Sequence, residues 1–296
     1  MSDLQASELI RRVRRIEIRT SRIVSEAMAG QYHSAFKGRG MEFEEVRPYE
    51  VGDDVRAIDW NVSARMGSPH VKLWREEREL TVMLAVDLSG SLGFGSRKQL
   101  KRELAAEIAA TLAFSAIRNN DKVGLLCFTD RIERFVPARK GPRHVLRIVR
   151  ELLGLAPQGR GTRLGDAIRE LGQIQRRRSV MFVVSDFLDQ GWETAFSVAR
   201  QRHDVIPVVI SDPRERSLPN VGLVEWEDAE TGERVVVDTG SRGVRRRFEE
   251  AAAIEEAART RALARIKTDS VQVETGQDVA PALMGYFRRR EARRGR

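Results

Sequence analysis

The apolar run Val82-Met83-Leu84-Ala85-Val86 stops abruptly at Asp87-Leu88-Ser89-Gly90-Ser91. A continuous apolar stretch of this length cannot alternate between core and solvent, so it predicts a central strand buried on both faces, as in parallel sheets covered by helices. The downstream chain keeps that rhythm. Helical periodicity over 97–118, 142–153, 162–174 and 192–202 is interleaved with short apolar strands at 122–128, 132–136, 179–185 and 204–210. The alternation predicts an α/β fold, a doubly wound and mostly parallel sheet with helices on both faces. Residues 213–240 interrupt it. Pro219, the turn-like Glu230-Thr231-Gly232-Glu233 and the strand-like 234–237 predict a hairpin insertion, after which a helix over 242–266, a strand over 270–273 and a last helix from 279 to about 290 close the fold.

Ahead of the central strand the pattern is looser. Leu4, Ile10, Val13, Ile16, Ile23 and Val24 recur at helical spacing among arginines, which predicts one amphipathic helix over 4–29, broken by Lys37-Gly38-Arg39-Gly40. Residues 41–49 have strand character, 52–65 are dense in charge, and 70–86 read as one long extended stretch. The expected organisation is a segment 1–77 packed on an α/β domain spanning 78–296.

Composition narrows the class. With 41% hydrophobic and 32% charged residues over 296 positions, the chain is expected to be globular and soluble, with one large domain and an appendage. Its apolar runs fall far short of the roughly 20 residues that span a bilayer, and the charged N-terminus lacks the pattern of a secretory signal, so the expected location is cytoplasmic. Cys127 is the single cysteine and lies inside the apolar run 123–128, which excludes an internal disulfide and predicts a buried, inert thiol. A net charge of +9, with arginine clusters at 11–15, 176–178, 245–247 and 288–296, brings in the alternative of a basic nucleic-acid-binding protein. Only 6% of the residues are aromatic, few for base-stacking platforms.

Asp87 ends one predicted strand and Asp186 another, while Thr162 follows Gly159-Arg160-Gly161 at the start of a predicted helix. In an open doubly wound sheet, ligands bind beyond the carboxyl ends of the strands where strand order reverses. Asp87, Ser89, Ser91, Thr162 and Asp186 therefore offer hard oxygen donors at one crevice, a set suited to Mg²⁺ or Mn²⁺. Taken singly, the serines read as a strand-to-helix turn, Thr162 as an N-cap and Asp186 as the cap of a following turn. Together, Asp-x-Ser-x-Ser, a distant Thr and a distant Asp resemble the metal-ion-dependent adhesion site of von Willebrand factor A domains, and all five positions match. The resemblance spans about residues 78–290. It implies that Ser89, Ser91 and Thr162 bind the cation, that Asp87 and Asp186 ligate it directly or through water, and that a partner protein's acidic residue completes the coordination.

A second resemblance lies upstream. Arg47-Pro48-Tyr49-Glu50-Val51-Gly52-Asp53-Asp54-Val55-Arg56-Ala57-Ile58-Asp59-Trp60, followed by Ser63-Ala64-Arg65, is similar to the signature of the bacterial DUF58 family, whose members carry it ahead of a von Willebrand A-like domain. That resemblance implies a MoxR-type AAA+ ATPase as partner. Many relatives also carry two N-terminal membrane helices, a pattern this sequence does not show. Read from the residues alone, Asp53, Asp54 and Asp59 beside Arg47, Arg56 and Arg65 predict ion pairs that pin the segment down, with Tyr49 and Trp60 packed beneath.

Catalytic readings find little purchase. Gly90 to Gly95 continues as Ser96-Arg97-Lys98 and so fails the phosphate-loop pattern, and Ser89 stands where a haloacid-dehalogenase-type phosphatase would place its second Asp. No Gly-x-Ser-x-Gly precedes a late histidine, and His33, His70, His144 and His203 lie in no motif and are expected to be surface or packing residues. Without a His/Cys cluster, zinc is disfavoured. The expected function is a non-enzymatic, cation-dependent interaction module.

Overall fold

The computed structural model describes residues 3–24, 26–36, 41–76, 79–96 and 99–294. The break expected at 37–40, the Arg97 start of the helix expected over 97–118, and the Gly295-Arg296 end of the basic tail lie outside the described residues. The elements run α1 (Asp3–Ile23), α2 (Glu26–Phe36), β1 (Met41–Pro48), α3 (Trp60–Met66), β2 (His70–Glu76), β3 (Thr81–Asp87), α4 (Lys101–Arg118), β4 (Lys122–Phe128), β5 (Ile132–Arg139) and α5 (Pro142–Gly154). They continue with α6 (Leu164–Ile174), β6 (Val180–Ser185), α7 (Trp192–Arg202), β7 (Asp204–Ser211), β8 (Leu223–Glu227), β9 (Arg234–Asp238), α8 (Arg242–Arg265), β10 (Val271–Glu274) and α9 (Val279–Arg294). No helix among the described residues is long and apolar enough to cross a membrane.

The chain divides into two compact units, one comprising Met1–Ala35 with Thr81–Arg296, the other Phe36–Leu80. The sequence reading instead places a single boundary near residue 77. The difference arises because α1 and α2 belong with the α/β body: Tyr32 donates its hydroxyl to Asp121 (3.1 Å), Asn119 donates to the Ala29 carbonyl (3.2 Å) and Arg290 to the Ala35 carbonyl (3.0 Å). On α1, Arg19 pairs with the buried Glu107 of α4 at 2.9 Å.

The larger unit is the expected doubly wound α/β fold. Its six-stranded sheet has the order β10-β7-β6-β3-β4-β5, every pair parallel except β4 with β5. Strand β3 is central and buried from Val82 to Asp87, as its unbroken apolar run requires. Side chains alternate across it. Met83 and Ala85, with Leu126 and Phe128 of β4 and Met181 and Val183 of β6, pack under α6, α7 and α8; Val82, Leu84 and Val86 face the opposite layer. There α4 is buried almost all round, and its Ala105, Ala106, Ala109, Ala110 and Ala113 let it lie close between the sheet and the α1–α5 pair. Strands β8 and β9 form a separate antiparallel hairpin within the region expected to hold one. Cys127 is buried in β4, and burial pushes its thiol up to about 12.

Three expectations change in detail. The extended stretch 70–86 is two strands in different sheets, β2 pairing with β1 and β3 with β4 and β6. The helix expected over 4–29 ends at Ile23, and a second one runs over 26–36. The helix expected from Thr162 begins at Leu164, with Arg163 as its cap residue.

In the smaller unit the 47–60 signature is local structure. Arg47 grips Asp53 with two parallel bonds (2.7 and 2.8 Å), and Asp54 caps the short 3-10 turn Val55–Ala57 by accepting from Arg56 N. Asp59 caps α3 through Asn61 N and Val62 N and pairs with Lys72 at 3.0 Å. The expected pinning pairs are thus partly different, and Trp60 is exposed rather than packed beneath.

Candidate functional site

The strand order reverses between β3 and β6, and the register that sets Val86 opposite Val184 brings Asp87 level with Ser185. Both carboxylates of the predicted set emerge here, and both are buried. Asp87 accepts from Ser89 N (2.8 Å) at Oδ1 and from the Ser185 hydroxyl (2.7 Å) at Oδ2. The Ser89 and Ser91 hydroxyls lie 3.2 Å apart, and Ser91 donates to Asp186 Oδ2 at 2.7 Å. Four of the five predicted residues therefore form one bonded chain. Phe187, directly after Asp186, sits in the left-handed region at φ +56°, where a bulky residue is strained; its ring is pinned edge-on against Trp192, with centroids 5.1 Å apart.

Thr162 is less directly joined. Its loop is tied to the serine loop by Gly90 N donating to the Arg160 carbonyl (2.8 Å), but its hydroxyl donates to Glu230 Oε1 at 3.0 Å. It is not the cap of α6, which leaves the hydroxyl available to a ligand or to Glu230.

The site carries excess negative charge. Burial first, and then the neighbouring Asp186, push the Asp87 carboxyl up to about 7. The Asp186 carboxylate pairs with the buried Lys101, whose ammonium lies 2.9 Å from Oδ2 and also reaches Glu215, while the Arg259 guanidinium donates to the Asp186 carbonyl at 3.1 Å. Burial works against the Lys101 charge, but the two carboxylates outweigh it and its pKa stands above the ordinary lysine value. Glu230 is also raised, by partial burial and by Asp186, Asp228 and Asp189 around it. Among the described residues, no group of three or more His, Cys, Asp or Glu side chains is arranged to hold a metal, so a cation here would depend on the hydroxyls. The converging donors are all hard oxygens beside under-compensated carboxylates, and this set fits Mg²⁺ or Mn²⁺.

Residues 45–258 match the family described as "Protein of unknown function DUF58". The chain belongs to the DUF58 family. Among curated relatives of this DUF58 protein, uncharacterized protein Rv1480 of Mycobacterium tuberculosis and uncharacterized protein Mb1516 of Mycobacterium bovis are each 35% identical over 233 residues, covering 78% of this chain and 74% of theirs. Solved structures similar to it include a conserved hypothetical protein BatB from Bacteroides thetaiotaomicron (TM-score 0.46, 18% identity, 72% of this chain and 99% of that one). The SpRpn10 VWA domain is another, at TM-score 0.36, 13% identity and coverage of 70% and 94%.

Sequence reasoning missed three residues of this DUF58 site, whereas Ser185 was legible as the last residue of its strand, one place before Asp186. Lys101, Glu215 and Glu230 come from a helix, a 3-10 turn and a hairpin that only the fold brings together, and a lysine at the start of an Ala-rich helix carries no local sign of burial.

Proposed function

We propose that this DUF58 protein is a non-catalytic, divalent-cation-dependent protein–protein interaction module, with Asp87, Ser89, Ser91, Thr162 and Asp186 holding Mg²⁺ or Mn²⁺. The observation that carries the reading is the bonded chain from Asp87 through Ser89 and Ser91 to Asp186 at the switch point of the sheet. A cation held there supplies a fixed positive charge with room for a further oxygen donor, the carboxylate of a partner protein. The serines orient the two carboxylates, and Ser185 fixes the second oxygen of Asp87. A non-catalytic role is supported by the ring nitrogens of His70, His144 and His203, which are bonded to Ser68, Val123 and Ser179 in packing roles. The partner implied by the family resemblance is a MoxR-type AAA+ ATPase in the cytoplasm, the pair serving assembly or maturation of other proteins.

Calorimetry with Mg²⁺ and Mn²⁺ on the wild type and on Asp87→Ala tests the cation. Binding by the wild type that Asp87→Ala abolishes is expected, and a wild type that takes up neither cation removes the reading. Affinity purification from the native host with the wild type and a Ser89→Ala/Ser91→Ala double variant then identifies the metal-dependent partner.

A further inference from the structure

The tip of the β8–β9 hairpin lies on the two loops that carry the serines and Thr162. A Cβ built on Gly90 would stand 2.3 Å from the Ala229 carbonyl oxygen and 2.8 Å from its carbon, so the tip rests against the serine loop at a distance only glycine permits. On the other side Thr162 donates to Glu230 Oε1, and Glu230 Oε2 lies 3.9 Å from where a Cβ on Gly161 would be. The tip is built to hold that pose. Asp228 Oδ1 accepts from Glu230 N (2.9 Å) and Thr231 N (2.8 Å), Gly232 N donates to the Asp228 carbonyl (2.8 Å), and Trp226 at the base packs against Phe248 of α8 with ring centroids 5.5 Å apart. The strands behind it are lightly packed, with Leu223, Val235 and Val236 exposed.

We infer that Glu230 is the chain's own carboxylate for this site, occupying in cis the face from which a partner's acidic residue would reach the cation. This rests on the cation reading above and deepens it. Glu230 Oε1 lies 3.0 Å from the Thr162 hydroxyl, a separation that two neighbouring oxygens of one octahedral cation also take. The hairpin is therefore a built-in competitor, and docking of a partner requires its tip to be displaced.

The test follows Mn²⁺ by calorimetry and by water-proton relaxation in the full chain, comparing the wild type, Glu230→Gln and Glu230→Ala, with acetate as the free carboxylate probe. Loss of the charge is expected to weaken Mn²⁺ binding by about tenfold or more. Removing the side chain is expected to admit an additional exchangeable water and to let acetate lower the relaxation enhancement, which it does not do in the wild type. Mn²⁺ binding and acetate response that are the same in all three proteins overturn the role of Glu230 and leave the cation site standing. Failure of the wild type to bind Mn²⁺ at all overturns both.

Discussion

A carboxyl buried at a strand end beside a second carboxylate holds its proton unusually high, and Asp87, at about 7, is in that position. An unfolded aspartate titrates near 4, so the fold binds this proton more tightly than the unfolded chain does. The stability Asp87 contributes is therefore present at low pH and lost as pH rises through about 7. Thermal melts in EDTA are expected to give a lower Tm at pH 8 than at pH 6, a difference that Asp87→Asn flattens. On the proposed cation reading the carboxylate is the binding form, so Mg²⁺ affinity is expected to move the other way and rise from pH 6 to 8, with proton release visible in calorimetry. Lys101 carries a second prediction. Its ammonium and Asp186 are both buried, so Lys101→Met leaves a carboxylate without its partner and is expected to cost about 3–5 kcal/mol in chemical denaturation. Of these residues, Asp87, Ser89, Ser91 and Asp186 were readable because strand ends announce themselves by an apolar run meeting polar residues. Lys101 and Glu230 were not, since their partners lie 85 and 68 positions away in the chain.

Elements were legible wherever burial imposed one period. The run Val82–Val86 dictates a two-faced strand, and the segment Trp192–Arg202 matches its expected helix end for end. The misreadings share a cause. Residues 70–76 and 81–87 are both extended, and local pattern does not say that one pairs antiparallel with β1 while the other enters the main sheet. The split of α1 from α2 likewise depends on where each helix docks. At this scale the hairpin is the element to perturb. In Gly90→Ala the new methyl collides with backbone, which gives little, so either the tip or the serine loop must move, at about 1–3 kcal/mol. Faster amide hydrogen exchange over 228–233 is expected, with exchange in β3 and β6 unchanged.

At the scale of the whole molecule, the DUF58 match crosses both compact units, while each unit has its own internal bonding. Asp59 joins the α3 cap to Lys72 of β2 within the smaller unit. Asp59→Ala is expected to accelerate hydrogen exchange across 41–76 and to leave the buried strands of the larger unit protected; uniform acceleration of both would mean that the units unfold as one. The doubly wound architecture was foreseeable because helix–strand alternation leaves few alternatives. The division into units was not, because it depends on α1 and α2 finding partners as distant as Arg290.

A hairpin tip resting on Gly90 and holding Thr162 also shapes how fast anything can arrive. On the inference that Glu230 covers the site, association is expected to be a two-step event, opening and then capture. In stopped-flow mixing with Mn²⁺, the observed rate is expected to level off with rising concentration at the frequency with which the tip lifts, and in Glu230→Ala that plateau is expected to move to higher rates.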